Sequence, residues 1–253
     1  DADAGVAAGQ LWKIVDAAGN TAFVGDASTG STAISAGFDG SGRILKAYDT
    51  ENRRYTYTYG TTIGGIARLT QVKAETKTGG TWSSPSGVAT VGQVDYSYYT
   101  ADGDTYGDAA DLKMVTTTVP LTDSGVSQTR KEYHRYFEGS YNGSSNPGYP
   151  HGLKLIVSPQ GTRTQDDEDA TFDEDFVSLS TDDLKPYASA YFEYDTSHRI
   201  SKCWWTGQCG CSGAGAGTYE FTYESNGSYT DSGGYTTTWA TRTIVKTPFP
   251  GPS

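Results

Sequence analysis

Aromatic residues recur at every second position in this chain, and that spacing constrains the fold more than any other feature of the sequence. In Arg54-Tyr55-Thr56-Tyr57-Thr58-Tyr59 the rings alternate with threonine. Only a pleated strand, with its period of two, brings all three rings to one face; a helix would spread them around its axis. Val94, Tyr96 and Tyr98 repeat the pattern, as do Ala190, Phe192 and Tyr194. Tyr219, Phe221 and Tyr223 do so again, with Thr218, Glu220, Thr222 and Glu224 opposite, and Leu153, Leu155 and Val157 give an aliphatic version. About a dozen strands fit this template. The chain holds 32 Gly and 19 Tyr but one Met, with 35% apolar residues, which suits short strands broken by turns and leaves little material for helices. The expected fold is all-β, with Tyr-rich antiparallel strands joined as hairpins.

The turn chemistry lies between the periodic segments. Asp16-Ala17-Ala18-Gly19-Asn20, Phe38-Asp39-Gly40-Ser41-Gly42, Asp102-Gly103-Asp104 and Ser225-Asn226-Gly227 all read as reversals, because Asx side chains cap their own turns and Gly accepts positive φ. Residues 141–150 form a longer turn-rich stretch. Residues 165–184 differ: Asp166-Asp167-Glu168-Asp169, Asp173-Glu174-Asp175 and Asp182-Asp183 surround a few apolar residues, so this is either an acidic insertion or loop, or the one short helix. Tyr-rich strands on both sides of it favour a single β-rich segment over residues 1–253.

A net charge of -11 provides no basic surface for nucleic acid or an anionic membrane. No apolar run is long enough to span a bilayer, and residues 1–10 lack the basic and apolar regions of a signal peptide. The chain starts without Met and ends in a Pro-rich tail, so it is expected to be part of a longer protein.

Candidate chemistry is sparse. Cys203, Cys209 and Cys211 lie close enough for a local disulfide loop in an oxidising compartment; a closed zinc site is less expected, because it wants four ligands and His198 is the single nearby His candidate. Asp102, Asp104 and Asp108 are spaced partly like a calcium loop and are weak candidates for that ion, because Lys113 stands where a bidentate Glu belongs. No other cofactor is expected. Catalytic carboxylates would have to face each other across a substrate, yet the Asp and Glu here sit in turns or charge runs. There is no Gly-x-Ser-x-Gly elbow, no P-loop and no dinucleotide fingerprint. An enzyme is not expected. Trp204 and Trp205 are candidate glycan-binding residues: adjacent strand positions face opposite ways, so one ring should be exposed.

The turn-and-strand unit has a recurring form: an aromatic, Asp, two variable residues, Gly, Arg, then an apolar strand. Phe38-Asp39-Gly40-Ser41-Gly42-Arg43-Ile44-Leu45 fits best; Tyr48-Asp49-Thr50-Glu51-Asn52-Arg53 has Asn in the Gly position, and Tyr194-Asp195-Thr196-Ser197-His198-Arg199-Ile200 has His there. Tyr223-Glu224-Ser225-Asn226-Gly227-Ser228 is a degenerate fourth. This pattern resembles the YD repeat of Rhs-type bacterial surface and secreted proteins, and the likeness covers most of residues 37–223, loosely between the units. The resemblance implies repeats wound into an extended or spiral β-sheet, at the cell surface or outside the cell, with a structural role in attachment, competition or toxin delivery. The Asp-Pro-x-Gly signature of that family's self-cleaving terminus is missing, so toxin delivery is not implied. The implied role is a scaffold, shell or filament component that pairs through strand edges with its own kind or with the rest of a longer chain. A carbohydrate-binding adhesin module is the alternative, with cell-surface glycans as partners; a glycoside hydrolase comes third.

Overall fold

A computed structural model describes residues 13–15, 17–19, 21–25, 37–51, 53–121, 126–159, 177–205, 217–230 and 232–247. The chain divides into two compact units, Asp1–Ser97 with Met114–Lys131, and Tyr98–Lys113 with Glu132–Ser253.

The first unit carries β1 (Lys13–Val15), β2 (Thr21–Val24), β3 (Lys46–Tyr48), β4 (Arg54–Ile63), β5 (Ile66–Thr76), β6 (Gly79–Thr81), β7 (Ser84–Ser86) and all but the last residue of β8 (Ala89–Tyr98). Residues 114–120 of β9 (Leu112–Pro120) and 127–131 of β10 (Ser127–Tyr136) also belong to it. The neighbours run β1-β2-β3-β4-β5-β8, each pair antiparallel, and β6 with β7 makes a separate small ribbon. The tyrosine alternation becomes β4, where Tyr55 faces Ala74, Tyr57 faces Val72 and Tyr59 faces Leu69 across β5, with the register slipping between Thr58 and Tyr59. Trp82, in the turn between β6 and β7, is buried against Tyr48, which in turn stacks on Phe23 at 4.8 Å. The Arg54 guanidinium lies 4.5 Å from the centre of the Trp82 ring and pairs with Glu75 at 2.7 Å. Burial opposes charge on Glu75, but hydrogen bonds from Lys73 and Arg54 outweigh it and hold its pKa below the ordinary value.

The second unit contains the remaining parts of β9 and β10, followed by β11 (Leu153–Val157), β12 (Ala190–Tyr194), β13 (Ile200–Trp205), β14 (Gly217–Thr230) and β15 (Thr236–Lys246). Its strands from β10 to β15 pair in sequence order, all antiparallel. The aliphatic alternation of β11 buries Leu155 and Val157, and Phe137, Ala190, Phe192, Tyr194 and Cys203 form a core cluster. Each such large side chain removed from water contributes about 1.5 to 3 kcal/mol. The described part of the acidic stretch is a one-turn helix, α1 (Thr181–Leu184), capped by Ser180 accepting from the Asp183 amide and pinned by buried Leu184. Residues 165–176 lie outside the described residues.

One turn expected from the sequence is not a turn. Ser225, Asn226 and Gly227 lie inside β14, opposite the stretch of β15 from Trp239 to Thr241, and the chain reverses instead between β14 and β15. Cross-strand pairing overrides local turn preference here, and Asn226 takes φ +52° within the strand. Gly227 has a packing reason: a Cβ there would lie 2.5 Å from Cζ2 of Trp239.

Candidate functional site

The three Asp–Arg units form the same small structure. In each, one carboxylate oxygen accepts two backbone amides: Asp39 from Ser41 and Arg43, Asp49 from Glu51 and Arg53, and Asp195 from Ser197 and Arg199, all within 2.8 to 3.0 Å. The second oxygen accepts the arginine Nε at 2.6, 2.6 and 2.8 Å. The Asp amide donates back to the Arg carbonyl at 2.9, 3.1 and 2.8 Å, closing the turn. The position before Arg is left-handed, φ +77° at Gly42 and +61° at His198, while Asn52 lies outside the described residues. A histidine is strained in that region, and stacking of His198 on Tyr149 at 4.0 Å holds it there.

The arginines then reach tyrosine faces. Arg43 lies 4.6 Å from the Tyr59 ring centre and Arg199 4.2 Å from that of Tyr223, while the Tyr55 hydroxyl donates to Asp49 at 2.9 Å. The amide of Arg43 leads the causes that lower the Asp39 pKa. At Asp49 and Asp195 burial pushes upward, but the hydrogen bonds from Arg53 and Tyr55, and from Arg199 and Ser197, win and lower both. Carboxylates saturated by donors and held anionic are poor proton acceptors; this chemistry fastens strands.

Sequence reasoning missed a second polar structure, centred on Arg135 of β10. Its side chain is fully buried, with the guanidinium 3.4 Å from the centre of the Tyr106 ring. Its nitrogens donate to the carbonyls of Leu179 at 2.5 Å and Val177 at 3.2 Å, to the Thr181 hydroxyl at 3.3 Å and to the Tyr133 hydroxyl at 3.2 Å. Tyr106 also donates to the Leu179 carbonyl, and Tyr99 donates to the His134 carbonyl at 2.9 Å. Arg135 thereby ties the segment leading into α1 onto the sheet. The available signal was its position two residues from Tyr133, which put it on a buried face.

The other candidates come out as follows. Trp204 stacks on Tyr191 at 4.3 Å, and Trp205 is the exposed member of the pair, 49% accessible with its ring edge against Phe192. Cys203 is a buried free thiol, and Cys209 and Cys211 lie outside the described residues. Asp102, Asp104 and Asp108 do not converge as a calcium loop would: Asp102 accepts the Ala109 amide and Asp108 the Gly103 amide, so both staple their own loop. Among the described residues no group of three or more acidic, His or Cys side chains is placed to hold a metal. His151 pairs with Asp111 at 2.9 Å, and that bond raises its pKa; His134 is lowered by burial, against the pull of Glu132.

The ribbon of β14 and β15 is largely exposed, β15 along almost its whole length. Among the described residues β13 pairs only with the first four residues of β14, from Gly217 to Glu220, whereas β15 follows β14 through to Thr230. Beyond Tyr223, which hydrogen bonds to the Ile200 carbonyl at 2.8 Å, the ribbon is a two-stranded arm. Its charges cancel in pairs, Glu224 with Arg242 at 2.9 Å and Glu220 with Lys246 at 3.1 Å.

No protein-family model matches the chain, and no curated protein matches it at a significant level.

Proposed function

We propose that this chain is a non-catalytic structural segment of a bacterial secreted or cell-surface protein, of YD-repeat kind, serving as part of a scaffold, shell or filament. The observation that carries this reading is the threefold recurrence of one Asp–Arg turn with the same set of hydrogen bonds. A motif that spends its carboxylate, its guanidinium and its amides on one another and on neighbouring strands is a fastening device. Its other polar centre, Arg135, likewise donates to carbonyls and hydroxyls of the fold itself.

Electron microscopy of the native protein tests the reading. Continuous shells or filaments support it; dispersed particles that hydrolyse a glycan would overturn it.

A carbohydrate-binding adhesin is the second reading, favoured by the half-exposed Trp205, whose face could stack on a pyranose ring. Glycan-array binding that disappears in Trp205→Ala would select it.

A further inference from the structure

We infer that the outer edge of β15 pairs with the same edge of a second copy of this chain, the two strands running antiparallel about a twofold axis at Thr241. The inference rests on the structural reading above and names the partner of that scaffold.

The first reason is the arm's need for support. A two-stranded ribbon is marginal in water, and a third strand or a packed face normally stabilises it. Among the described residues β15 has β14 on one side and no strand on the other. Its eleven residues contain no proline, and its one lysine, Lys246, comes last, so the usual protections of an edge are missing. Among the described residues the opposite end of the strand order offers the three residues of β1, a shorter ladder.

The second reason is self-complementarity. Pairing about Thr241 sets Arg242 opposite the partner's Ala240, Thr243 opposite the partner's Trp239, Ile244 opposite the partner's Thr238 and Val245 opposite the partner's Thr237. Lys246 falls opposite the partner's Thr236. No like charges face each other, and the exposed Ile244 and Val245 gain β-branched neighbours, a favourable cross-strand combination. A twofold contact of this kind is closed, so it yields a dimer and not a fibre.

The third reason is charge. The chain as a whole carries -11, which opposes the approach of two copies. On the arm that opposition is reduced, because Glu224 and Glu220 are each neutralised by a partner on β15.

Sedimentation velocity on the full 253-residue chain tests the pairing. The expected result is a monomer–dimer equilibrium that shifts with concentration. Thr241→Lys and Thr241→Glu each place like charges face to face at the axis, so each variant alone should raise the dimer dissociation constant at least about tenfold. An equimolar mixture of the two should restore the dimer. Thr241 is exposed, so both variants should keep the wild-type circular dichroism spectrum. A wild-type chain that stays monomeric at every concentration overturns the inference. So does a dimer indifferent to the Thr241 substitutions. Each of those results leaves the structural reading intact, since that reading fails on imaging of the native protein.

Discussion

β12 and β15 lie in the same unit and end in opposite conditions. In β12, Ala190, Tyr191, Phe192 and Tyr194 are all buried, with β11 on one side and β13 on the other. In β15 only Trp239 and Arg242 are even partly covered. The strands differ in composition, Ala-Tyr-Phe-Glu-Tyr against a Thr-rich run with Arg242 and Lys246, and in neighbours, two for β12 and, among the described residues, one for β15. A strand with two partners and a segment folded over it becomes core; one with a single partner becomes surface, and its unused amides and carbonyls are available to another chain. The packed strands hold the molecule together, and the arm gives it something to join with.

The contrast can be broken most forcefully from the packed side. Arg135→Met removes the donor to the Val177 carbonyl and one of the two donors to the Leu179 carbonyl at a buried site, and should cost about 3 kcal/mol, seen as a lowered midpoint in chemical denaturation. A change under 1 kcal/mol would mean that Tyr106 and Leu184 suffice to hold the segment entering α1.

The next effect belongs to the arm. Gly227→Ala drives a methyl group into the Trp239 ring and should destabilise the arm locally by about 1 to 3 kcal/mol, visible as faster amide exchange in β14 and β15 while β11 and β12 keep their protection. Equal loosening of both regions would show that arm and core unfold as one.

Asp195→Ala acts at the root of the arm, where Asp195 orients Arg199 over Tyr223. About 1 kcal/mol should be lost, with Asp195→Asn recovering part of it by keeping an acceptor for the amides.

Acid and base should act on different fastenings. The Asp39, Asp49 and Asp195 carboxyls have lowered pKa values when folded, so their contribution is present above the ordinary value of 3.8 and is lost as pH falls through the lowered values. His151 has a raised pKa, so its bond to Asp111 contributes below 6.5 and is lost as pH rises through the folded value. A pH–stability profile should therefore fall at both ends, and His151→Ala should abolish only the upper fall.

Much of this arrangement was legible in the sequence for a physical reason. The period of two in 55–59, 153–157 and 190–194 is the strand's own geometry, and the Asp–Arg turns are built within six residues, so local chemistry sufficed to place them. Arg135 was hidden because its burial depends on residues more than forty positions away folding over it. Ser225-Asn226-Gly227 misled because a strong local turn signal is outvoted by pairing across to Thr241 and Trp239. The exposure of Trp205 followed from the alternation, whereas the isolation of the arm depends on where β13 begins, at Ile200.

Hydrogen exchange of the full chain at low and high protein concentration tests most directly whether the arm is an assembly edge. Protection of β15 should increase with concentration, while β11 and β12 exchange at the same rates throughout. Exchange in β15 that is the same at both concentrations would contradict the account.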